Sequence, residues 1–294
     1  MIGALVVVAT PIGNLGDLSP RAVEALASVD VVACEDTRRT RGLLTHAGIP
    51  GSGRLVAVHA HNEVERADDL VTRMLAGARV AYVSDAGTPG VSDPGARLVA
   101  ACVAAGVPVE VVPGASAVLA ALVLSGFVAD RFAFEGFLPR RGRERTARLA
   151  AVADDERVQV LYEAPGRVAG TVADLAAACG ADRPVAIARE ITKVHEEVLR
   201  LPLGTAAEHL AAVEPRGEYV IVVGPAVPRV VEVDDAVLLD AVRRAEAAGA
   251  SRRDAAAAVA REHGVPRRRV YELALAMDRG DDGGLRPSGG PAPR

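Results

Sequence analysis

Five short runs rich in Gly, Pro, Asp and hydroxyl residues sit at the ends of apolar runs in this sequence. TPIGNLGD (10–17) follows ALVVVA, EDTRRT (35–40) follows VDVVAC, and HAHNE (59–63) closes LVAVH. SDAGTPGVSDPG (84–95) follows RVAYV, and PGAS (113–116) follows PVEVV. The glycines of 84–95 allow a backbone to approach a ligand closely. Asp85 stands where a carboxylate can meet a cation or a ribose hydroxyl; the competing reading is an Asx-turn cap. Each run alone reads as turn chemistry, but five converging on one sheet edge are hard to explain by packing. The spacing is not G-x-G-x-x-G, and no G-x-x-x-x-G-K-[ST] occurs, which weighs against dinucleotide and P-loop sites.

The elements that must position these loops alternate. Strands are predicted at 4–9, 29–34, 55–59, 79–84 and 108–112. Between them lie helical patterns opened by Ser19-Pro20, carried by VERADDLVTRML, and running from Asp93-Pro94 to Ala105. This alternation predicts a parallel α/β sheet, whose ligands bind beyond the carboxyl ends of the strands. Pro113-Gly114 marks a boundary, giving a first α/β domain over 1–114. A helix at ASAVLAALVLSG then crosses to a second α/β domain over 115–225. Its strands are expected at 131–137, 158–164, 184–190, 196–201 and 218–224, with helices near 143–153 and 166–178. The link 190–200 is too short for a helix, so that pair reads as an antiparallel hairpin and the sheet as mixed. After a prolyl linker, 234–248, 251–263 and 266–278 predict a helical, helix-turn-helix-like module over 232–280, with Gly264 as the turn. The Gly/Pro/Arg-rich tail 281–294 is expected to be disordered.

Composition agrees with such a fold. Half of the 294 residues are hydrophobic and only 3% aromatic, so the core is built from Val, Leu, Ile and Ala. The net charge of −4 supplies no global attraction to nucleic acid, and any such contact must be local. Two clusters qualify. Residues 140–148 hold Arg140, Arg141, Arg143 and Arg145 within a net +4, and 252–269 hold Arg252, Arg253, Arg267 and Arg268 within another net +4. The competing reading of each is a solvated helix face. Cys34, Cys102 and Cys179 are odd in number and far apart, which argues for a reducing cytoplasm and against disulfides or a zinc site. No metal is expected. The apolar run 2–9 lacks a basic start and meets Pro11 and Gly13 too soon for a signal peptide. No stretch approaches about 18 uninterrupted apolar residues, so no membrane span is expected.

TPIGNLGDLSPRA, EDTR, HNE, SDAGTPGVSDPG, PGAS, FEGFLPR and YEAPGR occur here in that order. Together they resemble the ribosomal RNA small subunit methyltransferase I family, a branch of the tetrapyrrole (corrin/porphyrin) methylases. The resemblance covers 4–224 and extends into the helical module. It implies S-adenosylmethionine bound in a cleft between two α/β domains, and methyl transfer to a cytidine 2′-oxygen in 16S rRNA near the decoding site. It also implies a homodimer and a small-subunit or 16S rRNA partner. Carried over, Pro11, Ser84, Asp85, Ala86, Gly87 and Ser116 line the cofactor pocket, joined from the second domain by Tyr162, Ala188 and Glu218.

A ribose hydroxyl is a weak nucleophile that benefits from a general base. Asp36, His61 and Glu63 are the candidates, although Asp36 is also placed to pair with Arg38 or Arg39, and His61 to cap the next helix. Positioning alone supplies much of the rate in such a transfer. Three other readings compete: a corrin or porphyrin methylase on the same fold, a non-catalytic RNA-binding module, and a nicotinamide-dependent dehydrogenase. The basic run 140–148 and the helical extension favour RNA over a small planar substrate, the intact loop set opposes a silent module, and the missing fingerprint disfavours the dehydrogenase.

Overall fold

The computed structural model describes residues 2–50, 53–59, 62–227 and 233–277. The base candidate His61 and the tail 281–294 lie outside the described residues. The chain divides into two compact units, 1–226 and 227–294.

The first unit opens with β1 (Ala4–Val8), α1 (Pro20–Ser28), β2 (Val31–Cys34), α2 (Thr37–His46), β3 (Leu55–Ala57), α3 (Glu63–Leu75), β4 (Arg79–Val83), α4 (Ala96–Ala104) and β5 (Val109–Val112). Its strands form one sheet in the order β3-β2-β4-β1-β5, parallel throughout. Every residue of β1 is buried, as a strand covered on both faces must be. Leu5 and Val7 face one core with Leu70, Met74 and Leu98 of α3 and α4. Val6 and Val8 face the other with Leu26 and Leu44 of α1 and α2. Ser19 caps α1 by accepting from the Ala22 N–H, with Pro20 in the first turn.

The unit continues with α5 (Ala117–Ser125), β6 (Phe132–Phe137), α6 (Arg143–Asp154), β7 (Val158–Glu163), α7 (Pro165–Cys179), β8 (Pro184–Arg189), β9 (Glu197–Pro202), α8 (Leu203–Ala212) and β10 (Tyr219–Val223). A second sheet has the order β6-β7-β10-β8-β9. β6 runs parallel to β7, β10 is antiparallel to β7 and β8, and β8–β9 is the expected antiparallel hairpin. One face packs on α6, α7 and α8, and the other on α5.

Two helices exceed the sequence reading. In α2, a polar run broken by Gly42, only Thr40 and Leu44 are buried, so tertiary packing overrides a weak pattern. In α8, Leu203, Ala206 and Leu210 are buried at helical spacing. A third difference matters more for the site. The helix expected from Asp93-Pro94 begins instead at Ala96, because the Glu63 carboxylate accepts hydrogen bonds from the backbone N–H groups of Gly95 (2.8 Å) and Arg97 (3.0 Å). Asp93 is left on the preceding loop.

The second unit holds α9 (Asp235–Ala247), α10 (Arg252–His263) and α11 (Arg267–Met277). They pack about Leu238, Val242, Ala255, Val259, Val265 and Val270. Ser251 caps α10, and Gly264 ends it with φ +64°.

Candidate active site

The loops after β1 and β4 are joined edge to edge. Thr10 and Gly87 exchange two backbone hydrogen bonds of 2.9 and 3.1 Å. Gly87 has φ +77°, a conformation costly for any side chain but open to glycine. The Thr88 hydroxyl donates to the Ala115 carbonyl (3.3 Å), tying in the loop after β5. Across from them, the Asn14 N–H donates to the Thr192 hydroxyl (3.1 Å), so the first loop also meets the turn between β8 and β9.

These loops enclose a cavity of about 360 Å³, within the range typical of small-molecule sites. The first half of the unit contributes Ile12, Ala86, Gly87, Thr88, Val91, Ser92, Asp93, Ser116 and Ala117. The second contributes Phe137, Tyr162, Glu163, Ala164, Pro165, Ile191, Glu218, Tyr219 and Val220. Tyr162 packs edge-on against Phe134 and Phe137, with centroid distances of 4.9 and 5.7 Å.

Of the residues expected at a cofactor pocket, Ala86, Gly87, Ser116, Tyr162 and Glu218 reach the lining. The other four lie outside it. Pro11 is buried, Ser84 is buried with its hydroxyl donating to the Ala86 carbonyl, and Ala188 lies in the second core. Asp85 accepts from the Asp36 N–H (3.0 Å) and faces the Arg39 guanidinium at 3.5 Å.

The described base candidates are otherwise engaged and lie outside the lining. Asp36 caps α2 and pairs with Arg38 at 2.9 Å. Hydrogen bonds from Arg38 hold its carboxyl down at about 2. Glu63 is buried and caps α4. The structure instead brings Asp93 to the cavity. Burial first, then the nearby Glu35 and Asp85 carboxylates, push its carboxyl up to about 6. A visible signal was the Ser-Asp-Pro-Gly run, which reads equally as a helix start. Burial pushes the Tyr162 hydroxyl up to about 12, with Asp93 adding to it.

Of the expected RNA-contacting arginines, Arg140, Arg141 and Arg143 are exposed and follow Phe137 of the lining by a few residues. Arg145 is different. With a side chain only 12% exposed, it donates to the Pro139 carbonyl, the Thr171 hydroxyl and the Asp174 carboxylate. It pins α6 to α7. In the second unit Arg253 and Arg267 are exposed, whereas Arg252 pairs with Glu246 (2.7 Å) and Arg268 with Glu272 (2.8 Å).

Residues 4–207 match the model of the Tetrapyrrole (Corrin/Porphyrin) Methylases, and 232–278 match that of the RsmI C-terminal HTH domain. The ribosomal RNA small subunit methyltransferase I of Mycobacterium tuberculosis is 45% identical over 286 residues, 97% of this chain and 99% of that protein. The chain belongs to the ribosomal RNA small subunit methyltransferase I family. The Synechocystis protein of the same name is 44% identical over 94% of this chain and 99% of its own length. Among solved structures, Thermus thermophilus uroporphyrin-III C-methyltransferase complexed with S-adenosyl homocysteine covers 76% of this chain and 97% of its own, with a TM-score of 0.54 and 23% identity. That likeness shows the fold. This family member has no described helix long and apolar enough to cross a membrane.

Proposed function

We propose that the protein transfers a methyl group from S-adenosylmethionine to the 2′-oxygen of a cytidine ribose in 16S rRNA of the small ribosomal subunit. The observation that carries this reading is the cavity at the converging strand ends, in a chain whose relatives over almost their full length are named for ribosomal RNA methylation. When bound, the cofactor supplies a methyl group on a sulfonium cation whose charge is lost on transfer.

The lining suits that group. Glu218 presents a carboxylate to a cation, while Ile12, Ala117, Ile191 and Val220 exclude water. Ala86, Gly87, Ser116, Tyr162 and Glu218 are proposed to contact the cofactor, with Pro11, Ser84, Asp85 and Ala188 supporting them from outside the lining. Arg140, Arg141 and Arg143, exposed beside the cavity, are proposed to hold RNA phosphates, and Arg253 and Arg267 to do so from the helical module. We further propose a cytoplasmic homodimer, with domain limits at 1–114, 115–225 and 232–280.

The test is methyl transfer from radiolabelled S-adenosylmethionine to small subunits lacking 2′-O-methyl groups, with nuclease mapping of the label. Label on one cytidine ribose is expected. Cofactor binding without any label on RNA would move the assignment to a small-molecule methylase.

A further inference from the structure

Three carboxylates line the cavity: Asp93, Glu163 and Glu218. Two are already committed. The Glu163 side chain is fully buried, accepts from the Ala164 N–H (2.9 Å) and the Thr171 hydroxyl (2.7 Å), and faces Arg167 at 3.3 Å. Glu218 is held by Lys193 at 3.0 Å, the same ammonium that binds Glu190 at 2.8 Å. Asp93 has no ion pair among the described residues. The groups around it are the Glu35 and Asp85 carboxylates from the ends of β2 and β4, the Ser84 hydroxyl, Tyr82 of β4 and Tyr162 of β7. No cation is among them, so no ion pair neutralises this carboxylate, and the donor that faces it is the Ser84 hydroxyl.

The loop that carries Asp93 is held firmly. Ser92 has φ +61°, a left-handed conformation that few non-glycine residues adopt without a surrounding constraint. On the far side, Gly95 has φ +119° and lies against the Tyr82 ring, where an added Cβ would collide. Glu63 clamps the Gly95 and Arg97 N–H groups. The Ser92 hydroxyl reaches the second sheet, 3.3 Å from where a Cβ on Gly136 would stand. The strained loop thus directs one carboxylate without an ion pair to the cavity from a rigid support.

The geometry points to Asp93 as the general base that takes the proton from the ribose 2′-hydroxyl during methyl transfer. This rests on the methyl-transfer reading above. In the step, the hydroxyl O–H bond breaks and its proton passes to an Asp93 oxygen. The oxygen pair so released forms the new bond to the methyl carbon, and the carbon–sulfur bond breaks with its electrons staying on sulfur. A carboxylate and a sulfonium become a carboxylic acid and a neutral thioether, so charge balances, and Asp93 then returns the proton to water. A carboxyl titrating near 6 is ionised at neutral pH yet more basic than an ordinary carboxylate, which suits the task.

The test is the full-length Asp93→Asn protein, read in three ways. Calorimetry should give affinities for S-adenosylmethionine and S-adenosylhomocysteine within about threefold of the parent, which also establishes that the variant is folded. The single-turnover methylation rate should fall by about 10²-fold or more. In the parent, that rate should rise with pH through about 6 and level off, and carbon-13 NMR should find one aspartate carboxyl titrating there that is missing from the variant. An undiminished rate in the variant overturns the assignment. So does an affinity loss of tenfold or more confined to the cationic cofactor, which would make Asp93 a sulfonium-binding group. If no aspartate of the parent titrates between pH 5 and 7, the assignment also falls, whatever the activity. A parent that methylates no RNA overturns the function itself, a result separate from failure of the Asp93 variant alone.

Discussion

Carboxylates of one chemical type do different work in this protein, and their surroundings decide which. Glu63 directs its charge to two backbone N–H groups at the start of α4. Glu63→Ala leaves those donors unpaired in a buried setting, and we expect a loss of about 2 kcal/mol in urea unfolding. A loss under about 0.5 kcal/mol would deny the clamp its importance. Asp93 has the opposite energetics. Its folded value, about 6, lies above the ordinary 3.8. The folded chain therefore holds more protons than the unfolded one between those values, and stability falls as pH rises through that window. Asp93→Asn removes the half-buried charge, so the variant should melt higher than the parent at pH 8 and gain less at pH 4. Equal gains at both pH values would show that charge is not the cause. Such a gain in stability with a loss of catalysis is the expected pattern for a strained active-site group.

Among the elements, α6 shows how one basic run divides into two tasks. Arg145 is turned inward to Pro139, Thr171 and Asp174, so Arg145→Ala should loosen the packing of α6 on α7 by about 1–2 kcal/mol. The measurement is thermal or urea unfolding, with cofactor affinity unchanged. Replacing Arg140, Arg141 and Arg143 together by Ala should leave stability alone. It should weaken subunit binding and flatten its salt dependence, by up to about 0.7–0.9 in slope for each phosphate no longer neutralised. An unchanged salt slope would return the run to an ordinary solvated surface. Charge counting along the sequence cannot make this division, because two partners of Arg145, Thr171 and Asp174, are supplied by α7, 26 and 29 residues on. The same limit hid α2: its few buried positions make sense only once β2 and β3 lie beside them.

At the scale of the molecule, the two compact units invite a separation of labour. A chain ending at Ala226 contains every residue of the cavity lining. It should bind S-adenosylmethionine like the full chain and lose affinity for small subunits. Calorimetry and filter binding check the two halves of that statement. Loss of cofactor binding on truncation would mean that the site depends on the second unit.

The order of the elements was legible in the sequence because it is written in local terms. β-branched runs, Ser-Pro starts and Gly stops name strands and helices without reference to distant residues, and the 190–200 link was too short for anything but a hairpin. The loop set was legible for the same reason, since each loop follows its strand directly. Which loop residues face the cavity was not. Asp36, Glu63 and Asp93 carry the same functional group, each on the segment that follows a strand of the first sheet. Arg38, two residues on, takes up the first locally, but only the tertiary fold sets the start of α4 beside the second and brings Asp93, without an ion pair, to the cavity. A carboxylate's role depends on its neighbours in space and on its distance from water, and neither is a property of the adjacent chain.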